Sequence, residues 1–244
     1  LAAKRLAPAS ARWLGKPALP SLAWKPPPEP DAPKPPAPVT EIVRAANAEV
    51  RPLRFASPPV MDGALSEETW RAAEPIGPFH QLGEAKAAAE QTDVLVGHDD
   101  KALYLGITCW ESRMDGLLSE YTADTRDASV FQDDSVEIFL QPPAGGLWHF
   151  AVNSLGAVYD SRGSTADTDD RRLNVEWKAA ASRRSNRWIV ELAIPFDSLS
   201  PDPPRAGEAW RFNVGRNERP RGETSTWAQL SRPLFHLPRD FGRL

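Results

Sequence analysis

Phe131, Asp133, Ser135 and Glu137 fall at every second position of the run Phe131-Gln132-Asp133-Asp134-Ser135-Val136-Glu137-Ile138-Phe139-Leu140. Side chains two apart share one face of a strand, and Val136, Ile138 and Leu140 occupy the opposite parity, so the run reads as a half-buried strand. Its polar face carries an aromatic ring and two carboxylates, Asp133 and Glu137. A core has little use for such a face, whereas a ligand with flat apolar faces edged by hydroxyls does. In a sugar ring an aromatic face covers the C–H patch, and carboxylates and amides take the hydroxyl hydrogen bonds.

Parity extends the candidate set. Phe212 and Val214 look inward, so Asn213 and Asn217 face away with Gly215 between them. Asn153 similarly opposes Phe150 and Val152. Arg216 follows Gly215, where a bulge would redirect it toward the same face.

Three other functions compete with sugar binding. Glu137, Glu191 and Asp134 would supply a glycosidase pair of carboxylates, although no Ser-His-Asp signature, phosphate loop or zinc motif accompanies them. Met61, Met114, His80, His98, His149 and His236 are the candidate axial ligands of a haem-binding sandwich. The third is a structural or interaction module with a degenerate ligand face.

The elements that must position these residues are short strands. Alternating runs at Asp93–Gly97, Ala102–Trp110, Ser135–Gln141, Trp148–Asn153, Val158–Asp160, Val175–Ala181, Trp188–Ile194 and Trp210–Arg216 are separated by Gly, Pro, Asp and Asn turns. His98-Asp99-Asp100-Lys101 reads as a tight hairpin turn, and Ser66–Ala73, with a Ser cap and acids in the first turn, as a short helix. Many strands and little helix predict an all-β fold, an antiparallel β-sandwich of the jelly-roll or immunoglobulin-like kind.

Ten prolines between Pro17 and Pro38 leave too few amide donors for helix or sheet and predict an extended, disordered spacer. The organisation expected is therefore a Pro-rich linker or tether over 1–54 and one sandwich over 55–244. The spacer is expected to continue from an upstream region, such as a catalytic domain, or to tether the sandwich to an envelope surface. With a net charge of -4 and scattered basic residues the chain has no electrostatic footprint for nucleic acid, and no apolar run approaches a membrane span. Cys109 is the only cysteine, which excludes an internal disulfide and assigns it to the core. Nine Trp are more than a core of this size requires and invite the idea of stacking platforms.

Read in order, the blocks Pro58–Trp70, Thr92–Leu105, Gln132–Phe139, Phe150–Asn153 with Gly156 and Tyr159-Asp160, Trp188–Phe196, Trp210–Val214, Ser225–Trp227 and Phe235–Gly242 resemble carbohydrate-binding module family 9. The resemblance implies a β-sandwich and a non-catalytic role, holding a glycan, for which the end of a chain is the expected form. It places the two stacking rings on Phe131 and Trp227 and the hydroxyl-accepting carboxylate on Glu137; Asn153, Arg216 and Asn217 complete the expected polar set. A structural calcium is implied too, near Asp124, Asp127 and Asp133. Three positions depart from the pattern: Phe131 where Trp is common, Ala151 where some members carry Arg, and Gly215 where a polar side chain is found. The implied partner is a polysaccharide or oligosaccharide, with a role in polysaccharide degradation or surface attachment, and the implied location is extracytoplasmic.

Overall fold

The computed structural model describes residues 29–30, 32–39, 48–143, 145–163, 170, 173–200, 202 and 204–244 of the chain. Alternating apolar residues give strands β1 (Leu53–Arg54), β2 (His80–Gln81), β3 (Thr92–His98), β4 (Ala102–Trp110), β5 (Ser135–Gln141), β6 (Leu147–Asn153), β7 (Val158–Gly163), β8 (Lys178–Arg183), β9 (Arg187–Pro195), β10 (Arg211–Glu218), β11 (Glu223–Thr226) and β12 (Gly242–Arg243). Two sheets result. The first runs β1-β3-β4-β9-β8; the second runs β2-β11-β10-β5-β6-β7, with β12 also paired to β10. Apart from the parallel β1–β3 contact, the ladders between these strands are antiparallel.

Leu103, Leu105 and Ile107 of β4 and Val190, Leu192 and Ile194 of β9 face Val136, Ile138 and Leu140 of β5, Phe150 and Val152 of β6, and Phe212 and Val214 of β10 in one core cluster. Burial of each such side chain contributes about 1.5–3 kcal/mol. Cys109 is buried with them, as composition implied, and so are Trp188 and Trp210. The outer face of the first sheet is covered by the chain entering it. There a short helix α1 (Glu68–Arg71) sets Trp70 edge-on to Phe55, 5.2 Å between ring centroids, and Phe55 stacks on Tyr104. Glu191, on this outer face of β9, accepts the backbone N–H groups of Asp62 (3.0 Å) and Gly63 (2.6 Å) and the indole N–H of Trp70 (2.7 Å). It clamps the entry turn.

Three details differ from the sequence reading. Residues 48–54, assigned to the linker, belong to the sandwich: Val50 donates to Arg243 O at 2.9 Å and is packed in the core, and β1 pairs with β3. The strand expected over Val175–Ala181 begins only at Lys178, because the Val175 N–H and the Trp177 indole are drawn to the Asp160 carboxylate, at 3.1 and 3.0 Å. β11 carries no strand signal of its own, because Glu-Thr-Ser-Thr has no apolar alternation; its partner β10 makes it a strand. Residues 1–28, most of the expected spacer, lie outside the described residues. Among the described residues no helix is long and apolar enough to cross a membrane.

Candidate functional site

Register builds a well on the outer face of the second sheet. Glu137 of β5 lies between Ala151 of β6 and Gly215 of β10, and Ala151 in turn pairs with Tyr159 of β7. The two small neighbours leave space above the Glu137 carboxyl, into which His149 and Asn217, each one outward position away, can reach. Asn217 Nδ2 donates to Glu137 Oε1 at 2.6 Å and to Ser135 Oγ at 3.1 Å. His149 Nε2 lies 2.7 Å from Glu137 Oε2. Gly215 has a second use: a Cβ there would stand 2.4 Å from the ring of Phe235, so glycine lets the loop after β11 lie directly on the sheet.

Rings surround the carboxyl. His149 stacks on Phe139 (4.5 Å, 16°) and meets His236 edge-on at 5.1 Å, while Tyr159 meets His149 at 5.3 Å and Phe131 meets Tyr159 at 5.7 Å. Phe131, Tyr159, Phe235 and His236, with Leu82, Thr224 and Leu234, wall a cavity of about 340 Å³ around Glu137, His149 and Asn217. Burial pushes the Glu137 carboxyl up, but the hydrogen bond and charge of His149, the Asn217 amide and the charge of His236 together outweigh it, and the group ends below its ordinary value. A buried anion among aromatic rings is thus placed to accept hydrogen bonds from hydroxyl groups.

Of the residues singled out by sequence, Phe131, Glu137 and Asn217 come together in this cavity. Three others do not. Trp227 was expected as an exposed stacking ring, but its N–H bonds Val214 O at 2.9 Å and its indole lies in the core, 5.5 Å from Phe212 and against Gly242. Thr226 points outward to Asn213, so strand parity turns the next residue in. Arg216 is not redirected by a bulge. The β5–β10 register is continuous from Arg211 to Asn217, which keeps Arg216 on the inner parity of Phe212 and Val214. There it bonds Glu111 (3.1 Å) and the carbonyl of Trp110 (2.8 Å), fully buried.

Asn153 is on the outward parity, but its side chain is occupied. Its Nδ2 donates to Asp133 Oδ2 and Tyr121 O, both at 2.8 Å, and its Oδ1 accepts the N–H groups of Leu155 and Ala157. Asp133 in turn accepts the Glu120 N–H at 3.0 Å. Asn153 and Asp133 therefore hold the segment that leads into the 3-10 turn Val130–Gln132, and with it Phe131. Sequence gives Tyr159 and Phe235 no ligand role, and His149 and His236 only the role of candidate haem ligands, His149 as the outward-facing one. For His149 and Tyr159 the outward parity was the available signal. For Phe235 and His236, on an irregular loop, there was none.

The carboxylates expected near calcium each have a partner within the chain. Asp133 is buried under its amide partners, Asp124 is exposed beside the Thr122 hydroxyl, and Asp127 pairs with Arg126 at 3.7 Å. Among the described residues no three His, Cys, Asp or Glu side chains converge as metal ligands. Most of the acidic run 167–170 lies outside the described residues. The glycosidase pair fails on geometry, since Glu137 and Glu191 lie on opposite outer faces of the sandwich. Asp134 is buried, accepting the Leu118 N–H at 2.7 Å and the Arg219 N–H at 3.0 Å. As for the haem alternative, His149 and His236 touch each other and His149 faces Glu137, which leaves no room between them for a porphyrin plane.

The fold is shared with known structures. A Bacteroides uniformis protein described as a candidate carbohydrate-binding protein aligns at a TM-score of 0.61 and 17% identity, covering 81% of this chain and 97% of its own. A carbohydrate binding module family 9 from Caldicellulosiruptor kristjanssonii in complex with cellotriose aligns at 0.54 and 20%, covering 78% and 90%. The same organism's family 9 module in complex with glucose aligns at 0.54 and 19%, covering 79% and 94%. No curated protein matches the chain. The family model described as carbohydrate family 9 binding domain-like matches residues 61–244, which hold β2 to β12, and the chain belongs to that family.

Proposed function

We propose that this sandwich is a non-catalytic carbohydrate-binding module whose ligand enters the cavity over Glu137. The observation that carries the reading is the ionised carboxyl of Glu137, gripped by Asn217 and faced by His149 inside an aromatic wall. Such a floor accepts sugar hydroxyls, and the ring of Phe131, backed by Tyr159, offers an apolar face. Family membership supports the reading, as do the sugars, cellotriose and glucose, held by two structures of the same fold. Among the described residues Glu137 is the one carboxylate of the cavity, so a two-carboxylate hydrolysis has no second member there.

With one small cavity and few hydrogen bonds, affinity should fall at roughly micromolar to millimolar. In this reading the module holds polysaccharide near an attached enzyme or a surface, outside the cytoplasm. Calcium enters it as a structural ion only; melting with and without a chelator decides whether one is bound. The seating of Trp227 in the core favours one rival, a structural module without a ligand. Calorimetric titration of neutral oligosaccharides into the parent and into Phe131→Ala separates the two. Saturable binding weakened in the variant supports the module, and silence over a broad panel with the fold intact leaves the structural role.

A further inference from the structure

The part of the Pro-rich stretch that the structure describes lies on the sandwich. Glu29 meets Arg187 with both oxygens, Oε1 to Nη2 at 2.7 Å and Oε2 to Nη1 at 3.2 Å, and Ser185 Oγ stands 3.3 Å from Oε2. Asn186 Nδ2 donates to the Pro33 carbonyl at 2.8 Å. Ser185, Asn186 and Arg187 form the turn into β9, and the Arg187 guanidinium sits 5.9 Å from the centroid of Trp110. Farther along, Pro35, Pro36, Pro38 and Val39 wall a cleft of about 560 Å³ together with Trp110 and the loop 85–91.

These contacts match what a polyproline strand can offer. Its prolines have no amide donors but keep their carbonyls outward, and past the turn in which the Ala32 N–H donates to the Glu29 carbonyl at 3.1 Å such a proline-rich run is pre-extended, so docking orders little that was free. Here an aromatic ring borders the same cleft as the pyrrolidines, an amide donor takes a carbonyl, and a two-pronged Arg–carboxylate pair sets the register. That pair is largely shielded, with the Arg187 side chain 9% exposed and Glu29 30%.

We propose that Trp110, Asn186 and Arg187 form a docking surface for the chain's own acidic proline segment, Glu29 to Val39, which is strapped to the sandwich in cis and is not a free tether. Whatever is attached before residue 29 then leaves from a fixed point at the β8–β9 turn. Trp110 accepts a hydrogen bond from Arg216, the neighbour of Asn217 in β10, so this point lies at the same end of the sandwich as the cavity. The consequence for an attached enzyme rests on the glycan reading; the strap itself does not.

A spin label on Ala37→Cys in the full chain tests the strap. Ala37 is exposed, whereas Cys109 is buried with its thiol pushed up to about 12 by burial, so the label goes to one place. The expected spectrum in the parent is motionally restricted. Glu29→Ala, which lies outside the sandwich and leaves its fold alone, should convert it to the sharp spectrum of a loose chain. Arg187→Gln should do the same, and the double variant no more than either. A mobile label in the parent overturns the proposal, as does a restricted label unmoved by Glu29→Ala. Restriction that vanishes on dilution overturns the cis arrangement. Oligosaccharide titration of Glu29→Ala should match the parent, which separates failure of the strap from failure of the glycan reading.

Discussion

Replacing Glu137 by Gln removes the charge at the foot of the cavity while keeping its shape. The carboxylate has two short partners, Asn217 at 2.6 Å and His149 at 2.7 Å. Hydrogen bonds to a charged group are worth about 1.5–3 kcal/mol each, against about 1 for neutral ones. A sugar hydroxyl that donates to Glu137 should lose the difference, about 0.5–2 kcal/mol, which weakens Kd roughly 2- to 30-fold. Folding should suffer less. The Gln carbonyl still accepts from Asn217, and a neutral His149 can accept the new amide N–H, so a loss of about 1 kcal/mol is expected. Titration calorimetry with the best oligosaccharide for the parent, beside urea unfolding, reads both quantities. Equal binding by a folded variant would refute the placement of ligand on this carboxylate.

Acid unfolding gives an independent reading of the same charge. The Glu137 pKa is depressed in the folded state below its ordinary value of 4.5. Its contribution is therefore fully present above that value and is lost as pH falls through the folded one. The parent should lose urea resistance in that acid window and Glu137→Gln should lose less. Parallel curves would mean that the carboxyl is not held ionised.

Trp227→Ala should cost about 3–5 kcal/mol as a core deletion, seen in the urea midpoint; loss of sugar binding with unchanged stability would place the indole back in the ligand site. Arg216→Met strands the Glu111 carboxylate between the sheets and should cost about 3–5 kcal/mol, much of it regained on adding Glu111→Gln. A double-mutant cycle without coupling would deny the pair. Burial pushes Glu111 up to about 7 and Asp134 to about 6. The folded state thus keeps protons that the unfolded chain has lost, so stability should decline as pH rises from about 5 to 8, and Glu111→Gln should flatten the decline. Gly215→Ala drives a methyl into the Phe235 ring and should cost about 1–3 kcal/mol while loosening sugar binding, with unchanged thermal unfolding and affinity counting against that packing.

Alternation by itself determined the sandwich. Val136, Ile138 and Leu140, or Phe212 and Val214, mark one buried face, and their parity sets Glu137 and Asn217 on the other. That inference needs only the two-residue period of a strand, which is a local property. Family-like blocks gave Phe131 its stacking role. What surrounds the carboxyl was decided by tertiary structure. Phe235 and His236 arrive on an irregular loop roughly 100 residues downstream of Glu137, and their place depends on a missing Cβ at Gly215. Trp227 and Arg216 went inward because the β10 ladder runs without a bulge and β11 keeps its own alternation up to Trp227. Arg216 was accepted there only because Glu111 and backbone carbonyls from other segments supply partners. The proline segment likewise reads as a spacer from composition, and only Arg187, more than 150 residues away, turns its first acid into an anchor. Local chemistry sets which way a side chain points; partners brought from distant parts of the chain decide whether it meets ligand, core or charge.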